Sequence, residues 1–313
     1  MTRVATAPAG QGDLARASQA LERAVECAEQ GSTDVPVVLV SPDDVRVLSR
    51  TELRLVLDRI LVAPQADSGL ESLRATGVLD ALLPEVSALV GFGDGEWRHK
   101  DVWKHTKQVV CQSVPRLEIR WAALFHDIGK VHTRSVTPDG EVHFFGHAEL
   151  GARMFDKIGR RTALFASDGA LSASVRFLVL HHLRASQYDG KWTDSAVRRF
   201  ARDMGARLDD LLCLSRADIT TKRPEKKRRG IAMIDELGAR ITTLAASDAV
   251  VPPLPSGVGN AIMEAFGLPP SRRIGEIKRA LEAAIEAGEI EGHQEAGYYV
   301  AFVTEHRDRF ALG

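Results

Sequence analysis

Five histidines and two aspartates in this chain are of the types that hold a divalent cation: His105, the pair His126-Asp127, His147, the pair His181-His182, and Asp218. Neutral imidazoles and carboxylates, with one coordination position left open, are what a metal needs in order to activate water. Taken singly, each has an ordinary explanation. An inward-facing His105 reads as a core histidine, and His147 as a polar residue in a helix's first turn. His181-His182 reads as favourable positive charge at a helix C-terminus, and Asp218 as a turn cap or a partner for Arg216. His126-Asp127 is harder to set aside, because an aspartate after a buried apolar run is costly unless it is paired. Together the residues arrive on five helical segments, on the faces that must meet.

The elements that position them follow from the 3.6-residue period. On a helix over Lys100–Val110, His105 shares a side with Val102 and Val109. Arg116–Phe125 reads as a largely buried helix delivering His126-Asp127, with Gly129 as its stop. Phe145-Gly146-His147 opens a helix whose inner face is Leu150, Gly151, Met154 and Ile158. In Val175–His182, His182 is in register with Val175, Leu178 and Val179, and His181 lies about 100° round the helix. Leu208, Leu211, Leu214 and Ser215 form the apolar side of a helix that brings Asp218 inward.

Around this region the spacing predicts a helix from Leu14 to Glu29 stopped by Gly31, and a helix from Ser49, with Ser49 and Thr51 both offering caps and Leu53, Leu55, Leu57, Ile60 and Leu61 as its apolar face. Short helices are expected over 69–83, interrupted by Pro84, with a flexible connection at Gly91–Gly95. Thr137-Pro-Asp-Gly140 is a turn signal, and Val142–Phe145 reads as a short extended piece. Beyond a proline-rich break at Val251–Gly257, helices are expected over Asn260–Phe266 and Arg272–Ala287, stopped by Gly267 and Gly288. Tyr298–Val303 reads as a final strand, Val35–Val40 as a strand or an apolar linker, and residues 1–12 as lacking regular structure.

A length of 313 residues with 44% hydrophobic content allows one large helical core with appendages, or two domains. A net charge of −1 argues against a protein coated in nucleic acid. Cys27, Cys111 and Cys213 have no paired metal spacing and read as small buried hydrophobes of a reduced, cytoplasmic protein. No apolar run is long enough to cross a bilayer, and no secretory signal pattern opens the chain.

The local strings His105-Thr106, Leu124-Phe125-His126-Asp127-Ile128-Gly129-Lys130, Gly146-His147, His181-His182 and Ser215-Arg216-Ala217-Asp218 resemble the HD superfamily, and within it the HD module of bacterial CCA-adding tRNA nucleotidyltransferases. Pro64–Pro84 resembles the helical segment preceding that module, and Gly267–Ile277 the helical segment after it. The resemblance runs from about Leu48 to Val303. It departs at residues 1–47, which carry no Gly-Gly…Arg-Asp loop and are too few for the nucleotidyl-transfer head of those enzymes, so nucleotide addition is not expected.

The resemblance implies an all-α fold: an N-terminal extension over 1–47, a helical lead-in over 48–95, an HD helical bundle over 96–246 and a small helical segment over 247–313. It implies His105, His126, Asp127 and Asp218 as core metal ligands, with Asp127 the bridge if two cations bind. His147 and His182 match the further ligands, and His181 a ligand or a partner to one. Asp127 and Lys130 take catalytic roles, and Lys130, Arg216, Lys222 and Arg223 are placed to hold substrate phosphate. The expected cofactor is one or two divalent ions, with Mn, Ni, Co, Mg and Fe all compatible. The expected function is phosphohydrolysis of nucleotides or RNA ends, 2′,3′-cyclic phosphates among them, by metal-activated water. DNA and membrane are not expected partners, and a homo-oligomer is open. The alternative is an RNA- or tRNA-binding or nucleotide-sensing module with little catalysis. His143 stands out as a further histidine near the ligands, whereas Trp97, Trp103, Trp121 and Trp192 read as core or hinge aromatics.

Overall fold

Side-chain caps written into the sequence start several of the helices in the computed structural model, which describes residues 13–31, 38–93, 101–249 and 252–312. The chain divides into two units between Thr242 and Thr243. In the first, α1 (Leu14–Gln30) begins where the Asp13 side chain accepts from the Arg16 amide, and it ends at Gly31 in the left-handed region. α2 (Pro42–Arg46) carries a full capping box between Ser41 and Asp44. α3 (Arg50–Val62) starts under Ser49, as expected. α4 (Ala66–Ala75), α5 (Val78–Leu82) and α6 (Pro84–Ser87) are the short helices. Pro84 does not merely interrupt there; it opens α6 in the first turn, where an amide hydrogen has no intrahelical partner to lose.

The site-bearing helices follow: α7 (Val102–Gln112), α8 (Leu117–Phe125) and the single turn α9 (Lys130–Thr133). A two-residue antiparallel hairpin, β1 (Ser135–Val136) with β2 (Val142–His143), pairs Ser135 with His143 across the Thr137–Gly140 turn. Then come α10 (His147–Thr162), α11 (Gly169–His181), α12 (Asp194–Met204), α13 (Leu208–Ala217) and α14 (Pro224–Ala249). The architecture is all-α, and that hairpin is the only sheet among the described residues.

α8 is the axis of this unit. Ile119, Trp121, Ala122, Ala123 and Phe125 are fully buried, so both of its faces must be covered. α7, α11 and α13 pack on it, and α3 reaches it from the lead-in region. A polar bolt fixes that last contact. The Trp121 indole and the Arg54 guanidinium both donate to Asp58, at 2.6 and 2.7 Å, and Arg54 lies over the Trp121 and Phe165 rings. Arg120 also donates to the Leu61 carbonyl at 2.9 Å. Because the buried donors are satisfied, the bolt orients α8 without leaving charge stranded. α7 is clamped to α4 by Glu71, which accepts from Lys107 at 2.5 Å and from the Trp103 indole at 3.1 Å.

The second unit has its own core of Leu254, Val258, Ile262, Ile277, Leu281, Tyr299 and Val303. It is built by α15 (Val258–Phe266), α16 (Arg272–Glu286) and α17 (Ala296–Glu305). α17 corrects the expected strand over Tyr298–Val303. Aromatic and β-branched residues favour strands, but Tyr299 and Val303 are buried while Ala301 between them is exposed; a strand would put all three on one face, whereas a helix groups the first and last and turns the middle one away. The Tyr299 hydroxyl reaches the Pro253 carbonyl at 3.0 Å, which satisfies its buried polar end. Val38–Val40 form no strand, although the Val40 amide donates to the Thr76 carbonyl at 2.8 Å. Residues 1–12, Val35, Pro36, Val37, Trp97 and His99 lie outside the described residues. No helix among those described is long and apolar enough to cross a membrane.

Candidate metal centre

Helix ends carry the ligand-type residues. His105 sits one turn into α7, whose start is capped by Asp101 accepting from the Trp103 and Lys104 amides. His126, His182 and Asp218 each occupy the C-cap of their helix, α8, α11 and α13 respectively. The carbonyl ends of helices favour positive charge, so three such ends converging prepare the place for a cation. His147 is the first residue of α10, reached through Gly146 at φ 76°, where a side chain would be strained.

The imidazoles are held in one tautomer by the main chain. His126 Nδ1 donates to the Ala123 carbonyl at 2.8 Å, His147 Nδ1 to Phe144 at 2.7 Å and His182 Nδ1 to Val179 at 2.8 Å. A carbonyl can only accept, so each Nδ1 carries the hydrogen and each Nε2 of the neutral ring presents a lone pair. His105 Nδ1 contacts the Thr220 hydroxyl at 2.9 Å, which leaves its Nε2 inward as well.

Those Nε2 atoms meet each other. His105 and His126 approach to 3.2 Å, and His147 and His182 to 3.1 Å. Lone pairs facing at such distances repel unless a proton or a cation lies between them. Asp127 joins the two pairs. Its Oδ2 is 3.1 Å from His126 Nε2 and 3.4 Å from His105 Nε2, and its Oδ1 is 3.6 Å from His147 Nε2. That Oδ1 is buried with no hydrogen-bond partner, a costly state for a carboxylate oxygen unless something positive is bound to it. Asp218 Oδ1 closes the first group, 3.0 Å from His105 Nε2. Two ligand sets therefore share Asp127: His105, His126 and Asp127, and Asp127, His147 and His182. The donor set fits divalent metals that take nitrogen and oxygen together.

Charge follows the same division. Burial by itself lowers an imidazole, but the carboxylate of Asp127 outweighs it at His126 and holds that ring above its ordinary value. Burial raises a carboxyl, yet His126 and Lys130 hold Asp127 well below the usual range. Asp218, for which burial is again outweighed, here by the His105 hydrogen bond and the His126 charge, is pulled down to about 2. In the other group burial wins. It lowers His147, and with His126 nearby it pushes His182 down to about 4, which keeps the His182 ring neutral at physiological pH.

Lys130 Nζ is 2.7 Å from Asp127 Oδ2 and lies over the Phe144 ring. It is the one predicted phosphate-holding cation at the cluster. Arg216 is instead engaged with Asp235 on α14 at 2.6 Å, because the residue before the last of α13 points along the neighbouring helix. Lys222 and Arg223 are exposed just beyond Asp218. Helix register separates the pair: the His181 ring packs on Phe177, centroids 4.4 Å apart, while His182 turns into the cluster. Burial pushes the Cys111 thiol up to about 11, away from the thiolate form. Trp103 and Trp121 are core, His132 is exposed and His143 half-buried.

Sequence reasoning missed the carbonyls that fix the tautomers, the Thr220 hydroxyl and the role of Gly129. Gly129 does not stop a helix in the left-handed region; its backbone is ordinary, at φ −70°. A Cβ there would lie 2.1 Å from the His147 carbonyl oxygen and 2.9 Å from the Gly151 amide nitrogen. Glycine is needed for room, because the His126-Asp127 turn lies directly against the first turn of α10.

Comparison with known proteins agrees with this geometry. Residues 101–222 match the family described as the HD domain. The chain is 34% identical over 252 residues to the A-adding tRNA nucleotidyltransferase of Deinococcus radiodurans, covering 78% of this chain and 56% of that one. It is 31% identical over 274 residues to the CC-adding tRNA nucleotidyltransferase of Thermus thermophilus, covering 85% and 59%. The multifunctional CCA protein of Ectopseudomonas mendocina is 35% identical over 111 residues, 34% of this chain. The chain thus spans a little over half the length of the first two relatives.

Proposed function

We propose, from the premise that this chain carries an HD domain and is homologous to the tRNA nucleotidyltransferases over most of its length, that it is a divalent-metal-dependent phosphohydrolase acting on nucleotides or RNA ends. The observation that carries the reading is the paired Nε2 lone pairs bridged by Asp127, whose Oδ1 is buried and unsatisfied. His105, His126, Asp127 and Asp218 would hold one cation, and Asp127, His147 and His182 a second. A divalent ion there supplies Lewis-acid chemistry, acidifying water and offsetting phosphoryl charge.

The chain's own groups do the rest. Asp127 is fixed by burial and can orient an attacking water by accepting its hydrogen. Lys130, half-buried beside Asp127, places an ammonium where phosphate oxygens gather charge. Lys222 and Arg223 extend positive charge from the Asp218 end for the flanking phosphates of a longer substrate. Five-membered 2′,3′-cyclic phosphates are the first substrates to try, followed by simple phosphodiesters and phosphomonoesters.

A second reading is an RNA- or tRNA-binding or nucleotide-sensing module with little turnover. It is favoured by a similarity that extends well past residues 101–222 to proteins named for action on tRNA. One assay separates the two: the protein with Mn or Ni against 2′,3′-cyclic AMP, phosphodiesters, phosphomonoesters and short RNAs, beside Asp127→Ala. Turnover that needs the cation and is abolished by the substitution supports the hydrolase. Metal-loaded protein that turns over none of these, yet binds RNA equally with and without Asp127, supports the module.

A further inference from the structure

Phe145 is the most exposed large apolar side chain among the described residues, at 78%. None of the other phenylalanines is exposed; Phe125, Phe155, Phe165, Phe200 and Phe310 are buried and the rest half-buried. Leaving a benzyl group in water forgoes a large hydrophobic gain, and a lone instance on a surface would need no explanation. Three features set this one apart.

The ring is held. His143, two residues earlier, stacks on it with centroids 4.9 Å apart and planes 12° from parallel. One face of Phe145 is therefore covered and the other is presented as a flat, oriented slab. The turn at Gly146 follows at once, with φ 76°, so Phe145 sits at the fixed corner between the hairpin and α10. The ring is also close to the chemistry. It lies two positions before His147, a chain reach of about 7 Å at most. The preceding residue, Phe144, supplies the carbonyl that sets the His147 tautomer, and its ring lies under the Lys130 ammonium. Finally, Lys130 and the exposed Arg134 bring positive charge to the segment that leads into the hairpin, whose acidic residues Asp139 and Glu141 come later, at its turn and the start of the returning segment. Aromatic faces interleaved with positive charge are how proteins take up unpaired nucleotides.

We propose that Phe145, backed by His143, is a stacking platform for a nucleobase of the substrate, whose phosphate lies at Lys130 and the Asp127 cluster. This rests on the phosphohydrolase reading and narrows it. The preferred substrate carries an unpaired base next to the reacting phosphate, as a nucleoside 2′,3′-cyclic phosphate or a single-stranded RNA end does. A sugar phosphate without a base is a poor substrate.

The test uses the full chain with Mn, as wild type, Phe145→Ala, Phe145→Trp and His143→Ala. The first readout is the ratio of kcat/KM for 2′,3′-cyclic AMP to that for the base-free 2′,3′-cyclic phosphate of methyl riboside. The second is quenching of the 2-aminopurine analogue of the cyclic nucleotide, which reports stacking without turnover. Phe145→Ala is expected to lower the ratio about tenfold, equivalent to about 1.4 kcal/mol, and to abolish the quenching. Phe145→Trp should retain both, and His143→Ala should fall between. An unchanged ratio with quenching retained in Phe145→Ala overturns the platform and leaves the hydrolase standing. Phe145-dependent quenching in a protein that hydrolyses neither substrate leaves the platform and overturns the hydrolase. If Phe145→Ala changes only the sedimentation of the protein, the ring is a contact between copies and the proposal falls.

Discussion

The two halves of the ligand cluster share Asp127 but are built on different principles. The half made by His105, His126, Asp127 and Asp218 is rich in charge and partly open, with Asp218 28% exposed. Its histidine helix α7 is fastened to α4 by the ion-paired Glu71. The half made by Asp127, His147 and His182 has two neutral rings, a single carboxylate oxygen and almost no solvent. It is fastened by close backbone packing of Gly129 and Gly151 and by the apolar faces of α10 and α11. The contrast teaches that one cluster can offer a strong, accessible cation position and a weaker, sheltered one. Two carboxylates attract a first cation more than one carboxylate attracts a second.

The shared residue gives the largest effect. Asp127→Ala should empty both halves, lowering metal content by atomic emission to background and lowering turnover by at least about a hundredfold, the scale already seen for outer-shell partners of a metal ligand. Equal metal content in wild type and variant would break the comparison at its centre. Next comes the cation itself. Titrated Mn should raise the unfolding free energy in two steps, with about 2.7 kcal/mol gained when the free ion reaches a hundred times the first dissociation constant. A single step with one ion per chain, in calorimetry, would reduce the two halves to one.

Gly129→Ala separates the halves. Its Cβ would fall 2.1 Å from the His147 carbonyl oxygen, so the first turn of α10 must move. Overpacking of this kind costs about 1–3 kcal/mol, and the expected result is one bound cation where wild type has two. Retention of both would show that the spacing is not set there. Glu71→Gln probes the other fastening and should be the smallest effect. Burial would raise this carboxyl, but the Lys107, Arg74 and Trp103 hydrogen bonds hold it below its ordinary 4.5. A carboxyl lowered in the folded state contributes stability that is present above its unfolded value and is lost as pH falls through the folded value. Thermal melts from neutral pH down past 4.5 should therefore show a steeper acid decline in wild type than in Glu71→Gln. At neutral pH the gap is about 1 kcal/mol, kept small because the site is partly open to screening solvent. Parallel curves would remove Glu71 as a titrating clamp.

Much of this was legible beforehand. Val175, Leu178 and Val179 put His182 in register with the core, and the structure turns that ring inward while His181 rests on Phe177. Asp218 could be placed from Leu211, Leu214 and Ser215, and the Thr137–Gly140 turn from its proline and glycine. Other features were not legible, for identifiable reasons. The strand expected at Tyr298–Val303 is a helix because packing buries Tyr299 and Val303 while leaving Ala301 exposed, which overrides local preference. The pairing of Arg216 with Asp235 was not legible because it depends on α14 running beside the end of α13.

The sequence by itself determined the ligand types, their order and the helical face each occupies, because those depend on side-chain chemistry and a 3.6-residue period alone. Only the tertiary structure decided which Nε2 atoms face one another, that Asp127 spans both pairs, and that Gly129 must lack a side chain. These are distances between segments brought together by packing, and no periodicity along the chain encodes them.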